Sequence, residues 1–199
     1  MHEALNAGGL IFMKVGLHAQ ETIEDIIKRK QHEYEEAGSI FWGYGGSTCH
    51  PASMVQPFGK RIEEAGSRLL IVMNKIGSKM NKIDSKYAVP RELAKEYSDD
   101  REDWKPIPKG IEVRGSRFAM VLDELRLDEF EIDLGELEVG IGPSLGRKAH
   151  HYMLGQVDKG CFKHVPREVP VAPGERVIKK IGLVARVKAP YAVFVRNLS

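Results

Sequence analysis

The sequence is poor in cysteine, has no long apolar run and carries no large excess of one charge. Its two cysteines, Cys49 and Cys161, stand far apart. That excludes a disulfide framework of the kind that staples small secreted domains, and it points to a reducing, cytoplasmic setting. No apolar stretch approaches the roughly 20 residues that span a bilayer, so no membrane partner is expected. The opening MHEALNAGGLIFMKVG has no basic segment followed by a sustained apolar one, and no secretory signal is read there. Internal repeats and low-complexity tracts are missing too. No motif implies a cofactor or an oligomeric state.

What is present suits one well-cored, soluble domain: 199 residues, 42% apolar and 29% charged. Met13 opens an equally good start, so the domain is placed at 13–199, with 1–12 as a dispensable extension. The prolines of KPIPKG, 105–110, mark the best candidate for a subdomain seam. The net charge of +2 conceals a division. Residues 123–138 hold eight acids and one base, Arg126, whereas 147–199 hold eleven Lys/Arg against three acids. The basic part invites an anionic partner, nucleic acid included, through dispersed bases such as Lys179, Lys180 and Arg186; solvated faces that balance each other are the plain alternative.

Periodicity sets the elements. LIFMKVG, 10–16, reads as a strand. In the following helix Ile23, Ile26, Ile27 and Tyr34 share a face, Thr22 is a possible cap and Gly38 the stop, with Lys28, Arg29, Glu33 and Glu36 on the remaining surface. SIFWGYGG is a strand entering a glycine loop. PASMVQPFGKRIEEAG is helical, with Pro57 and Gly59 breaking its middle. SRLLIVMNKI is apolar enough for a central strand, and PRELAKEYSDDREDW suggests a helix over 90–104. Later, Phe130, Ile132 and Leu134 alternate with Glu129, Glu131 and Asp133 until the phase shifts at Gly135, which a turn or bulge explains. A helix is expected in GRKAHHYMLGQ, and the C-terminus alternates as strands with Pro190 at a turn or edge. Helices early and strands late give an α+β fold: a mixed, largely antiparallel sheet or open barrel with two to four helices.

Two glycine loops carry the functional expectation. In GYGGSTCHP, Gly45 and Gly46 permit backbone angles closed to other residues, and Ser47 and Thr48 add donors, as an anion-binding concavity requires. This is neither a Walker loop nor a dinucleotide fingerprint, because no lysine follows the glycines and their spacing is wrong. Trp42 and Tyr44 share one strand face and could stack on a base, although burial of at least one is expected. In LEVGIGPSLGRKAHHY, Gly142 and Ser144 lead to Arg147, which can fork onto a phosphate, to Lys148, a point charge, and to His151. The expected ligand is therefore small, anionic and phosphate-bearing, such as a nucleotide. Tight strand–helix turns are the plain alternative.

Reactive groups are few. Cys49 and His50 are weak catalytic candidates, because adjacent side chains diverge and His50 is poorly placed to deprotonate its neighbour. Cys161 and His164 would complete a nominal Cys2His2 set with them, but the ligand spacing is wrong for zinc. Over about a dozen residues, IFWGYGGSTCHP resembles the strand and loop of γ-glutamyl cyclotransferase-like proteins: Tyr44, Gly45 and Pro51 match, and Gly46 replaces a serine. The resemblance implies a loop that holds a γ-glutamyl group; the family's acid/base glutamate has no match to carry over.

Overall fold

The structure, a computed structural model, describes residues 3–15, 23–44, 50–75, 92–154, 159–166, 168 and 170–197. Its strands are β1 (Gly9–Val15), β2 (Ile40–Tyr44), β3 (Leu69–Lys75), β4 (Glu96–Ser98), β5 (Lys105–Pro106), β6 (Phe118–Asp133), β7 (Leu137–Val139), β8 (Lys159–His164) and β9 (Ile178–Arg196). The helices are α1 (Ile23–Ala37), α2 (Ala52–Glu64) and the single turn α3 (Ala149–Tyr152). The strands form one mixed, mostly antiparallel sheet in the order β2-β6-β9-β3-β1-β8-β7, with β4 on the end of β9 and β5 on β4. It does not close into a barrel, and the fold is α+β. Among the described residues only β1 and β3 pair in parallel, from Gly9↔Leu69 to Val15↔Lys75. No helix among the described residues is long and apolar enough to cross a membrane.

Strand alternation divides the core between the two faces. Ile11, Met13, Ile71, Met73, Leu183 and Ala185 point to the side covered by α1 and α2, where Ile26, Ile27, Val55 and Phe58 complete the cluster. Leu10, Phe12, Leu70, Val72 and Phe162 point the other way, toward Leu134, Ala149 and Met153. A third cluster joins Phe41, Val121 and Val193 to Ile111 and Val113. The stretch expected to be a seam therefore packs on the sheet: Lys105 and Pro106 pair with β4, and Ile107 packs on the third cluster. Residues 9–12 likewise belong to the fold. Leu10, Ile11 and Phe12 are fully buried in β1, and Ala4 just ahead of them is buried too.

Several elements depart from expectation. Over 92–104, the described part of the helix expected at 90–104, the chain instead forms strand β4 and a bend. Ser98 Oγ accepts from the amides of Asp100 and Arg101, and Asp100 Oδ1 accepts from those of Glu102 and Asp103. These local bonds use the amides that a helix would need. By contrast α2 runs unbroken through Pro57 and Gly59. Gly59 survives there because a Cβ would lie 2.4 Å from the Tyr191 ring. On α1, Glu33 is buried rather than at the surface, and Tyr34 is exposed. The phase shift at Gly135 is a 3-10 turn, Leu134–Glu136, in which Asp133 Oδ1 accepts from the Gly135 amide at 2.8 Å.

The division of charge is resolved by the ladder itself. Strands β6 and β9 are antiparallel partners, so acids face bases: Asp123 opposes Arg186 and Glu131 opposes Lys180. Arg186 forks onto Asp123 at 2.8 and 2.6 Å, which drives the guanidinium pKa upward. Lys163 meets Glu138 at 3.1 Å and Arg196 meets Glu96 at 2.7 Å. Arg186, expected among the dispersed bases, is thus committed within the protein.

Candidate functional site

Strand β2 carries Trp42 and Tyr44 into the core beneath the helices, 5% and 3% exposed. Tyr44 packs on Phe118 with ring centroids 5.3 Å apart. Neither ring offers a face to a ligand, because Ile40, Trp42 and Tyr44 alternate onto the side that α1 and α2 cover. Gly45, Gly46, Ser47, Thr48 and Cys49 lie outside the described residues. Of the stretch that resembles the cyclotransferase strand and loop, the matched Gly45 therefore lies outside the described residues, while Tyr44 and Pro51 are described.

His50 is a structural post. Its ring is buried, and Nδ1 accepts from the Cys161 amide at 3.0 Å. The Ile141 backbone bonds the ring as well, and Tyr152 stacks on it at 5.3 Å and 9°. Burial lowers its pKa, outweighing the opposing pull of the Ile141 carbonyl. With its nitrogens engaged in this way, His50 is badly placed as a general base. It does show that the end of the first glycine segment meets the second: a Cβ on Gly142 would lie 3.1 Å from Met54 Sδ and 3.7 Å from His50 Nε2.

The second glycine segment is folded mostly onto itself. The amides of Leu145 and Arg147 donate to Gly142 and Ser144, that of Gly146 to Val139, and that of Gly140 to Cys161. Gly142 and Gly146 have φ of 86° and 79°, a region that favours glycine. Amides spent in this way are not available to cradle an anion. The helix expected next is only one turn long, so it has little dipole to offer. Arg147 is exposed, with one guanidinium nitrogen donating to the His151 carbonyl at 3.2 Å; Lys148 and Ser144 are half-buried.

That turn forms one wall of a cavity of about 170 Å³, bounded also by the end of β1, Leu134 and the start of β9. Four basic side chains line it: Lys14, Lys179, His150 and His151. The remaining lining is apolar, from Phe12, Leu134, Met153, Leu154 and Val177, and among the described residues no acid contributes. Lys14 Nζ reaches the Met153 carbonyl at 3.4 Å. His150 is 8% exposed, and neither ring nitrogen has a hydrogen-bond partner. Burial lowers its pKa, and His151, 4.0 Å away between ring centroids, adds to the effect. The shift favours the uncharged ring.

Of the described residues expected at the glycine-loop site, His151 alone is among those lining this cavity, joined by Lys179 from the dispersed bases. Gly142 faces Met54 and His50, and Ser144, Arg147 and Lys148 lie outside the lining. Sequence reasoning missed Lys14 and took Lys179 for one of several dispersed surface bases, although both leave a trace. Lys14 continues the parity of Leu10 and Phe12 and ends that apolar run, and Lys179 shares the parity of Ile181. Cys161 is buried in the core, and His164 Nε2 lies 3.2 Å from the Ala4 carbonyl. No family model matches the chain, and neither does any curated protein or solved structure.

Proposed function

We propose that the protein binds a small anionic ligand, a phosphate-bearing one included, in the cavity between α3 and the ends of β1 and β9. The observation that carries this reading is the convergence of Lys14, Lys179 and His151 on an apolar hollow that no acid lines among the described residues. Lys179 has no ion-pair partner among the described residues. A cation left unpaired beside a hollow is best matched by an anion from solution. The second glycine segment serves this site indirectly. Its closed turn sets the position of α3 and thereby of His151, and Arg147 and Lys148 add positive potential nearby.

The test is calorimetric titration of the whole chain with inorganic phosphate and with phenyl phosphate at low salt. A charge-assisted contact contributes roughly 1.5–3 kcal/mol, so Lys179→Met should weaken binding about tenfold or more. Saturable binding that Lys179→Met leaves untouched would place the anion elsewhere and sink this reading.

A further inference from the structure

Resting on that reading, we infer that the ligand is a compact amphiphilic anion: a carboxylate or phosphate head on an apolar body of about six carbon atoms, matching a cavity of the size that encloses benzene. The volume of about 170 Å³ sets the scale. An engineered apolar cavity of about 150 Å³ takes up benzene, whereas sites for drug-sized ligands run to about 300–1,000 Å³. A nucleotide would leave its base or its sugar outside.

The lining agrees with the size. Phe12, Leu134, Met153, Leu154 and Val177 present carbon to the hollow, and among the described residues no Ser, Thr, Asn, Gln, Asp or Glu lines it to read the hydroxyls of a sugar. His150 behaves as wall rather than as a charge, since burial favours its neutral ring. Leu154 is 65% exposed at this site, and an apolar body seated beside it would cover surface that water now meets. The head then has one place to go, among Lys14, Lys179 and His151. Apolar burial and charge pairing are thus demanded of the same small molecule.

The full-length protein would be titrated with five probes: benzoate, phenyl phosphate, benzyl alcohol, inorganic phosphate and AMP. Benzoate and phenyl phosphate should saturate the site, the tighter of the two identifying the head. Benzyl alcohol, inorganic phosphate and AMP should each bind at least about tenfold more weakly, because each lacks the head, lacks the body or exceeds the space. Leu154→Ser should weaken benzoate about fivefold, while Leu127→Ser, an exposed leucine on β6, should leave it unchanged. Inorganic phosphate or AMP binding as tightly as benzoate would overturn the inference and leave the anion site standing. Benzyl alcohol matching benzoate, or no saturation by any probe, would overturn both.

Discussion

Lys30 and Glu33 show how a charged residue can be core. On α1 the positions 26, 30, 33 and 37 form one stripe, and the stripe that begins with Ile26 faces the sheet. Lys30 Nζ donates to both Glu33 oxygens at 2.7 and 2.9 Å, to the Phe41 carbonyl at 2.7 Å and to the Glu112 carbonyl at 3.1 Å. Burial pulls the lysine pKa down and pushes the glutamate pKa up, and each partner opposes the other's shift. Glu33→Ala would strand the ammonium, at about 3–5 kcal/mol, whereas a hydrophobic replacement of both residues should cost much less. Urea denaturation of the single and double variants checks this. The pair was not legible in the sequence, where Glu33 reads as surface, because a sequence shows charge before it shows partners. His50 supplies a pH-dependent case. Its folded pKa lies below the ordinary value of 6.5, so the unfolded chain takes up the proton first. Stability is full above 6.5 and falls as pH drops from there through the folded pKa. His50→Ala should lose about 1–3 kcal/mol at pH 7.5, since the Cys161 amide loses its acceptor. It should also flatten the decline in melting temperature between pH 7 and 5; an unchanged slope would remove His50 as its source.

At the scale of elements, apolar patterning was the readable signal and local chemistry the unreadable one. Strands β6 and β9 follow from parity, and β1, β2 and β3 from short apolar runs, which for β1 and β3 are buried on both faces. The 90–104 stretch has helical composition, yet Ser98 and Asp100 capture the amides that follow them. Asp100 is held at a pKa of about 2 by those donors. Helix α2 makes the opposite case, because tertiary packing sustains it through two weak formers. Gln56 Nε2 binds the Asp99 and Ala192 carbonyls at 2.7 and 2.8 Å, tying the helix to β9. One turn further on, the Tyr191 ring occupies the space where Gly59 lacks a side chain, and its hydroxyl bonds to Glu63. Gly59→Ala would raise helix propensity and still destabilise, by about 1–3 kcal/mol, because the ring has to move. Gly174→Ala, with open space at the Cβ position, is the matched control. A thermal melt in which both variants behave alike would show that Tyr191 gives way freely.

For the whole molecule, pairing between distant segments governs both charge and topology, and neither is visible in a linear reading. An acidic block and a basic block became adjacent strands, which removes much of the argument for a nucleic-acid surface. The site reading moved for the same reason: Lys14 and Lys179 are 165 positions apart in sequence and meet only because β3 joins β1 to β9. Topology also fixes what removal of residues 1–12 would do. Strand β1 has β3 on one side and β8 on the other. A chain beginning at Met13 would leave Leu69–Val72 without a parallel partner and separate β8, with β7, from the sheet. It would also lose Leu10, Ile11 and Phe12, each worth about 1.5–3 kcal/mol when fully buried. Their sum is comparable to the whole stability of a typical domain, about 5–15 kcal/mol. The truncated chain should therefore show no cooperative unfolding transition by circular dichroism, and phosphate should not restore one. A chain from Met13 that melts within a few degrees of the full protein would overturn the central position of β1, and the cavity built on its far end with it.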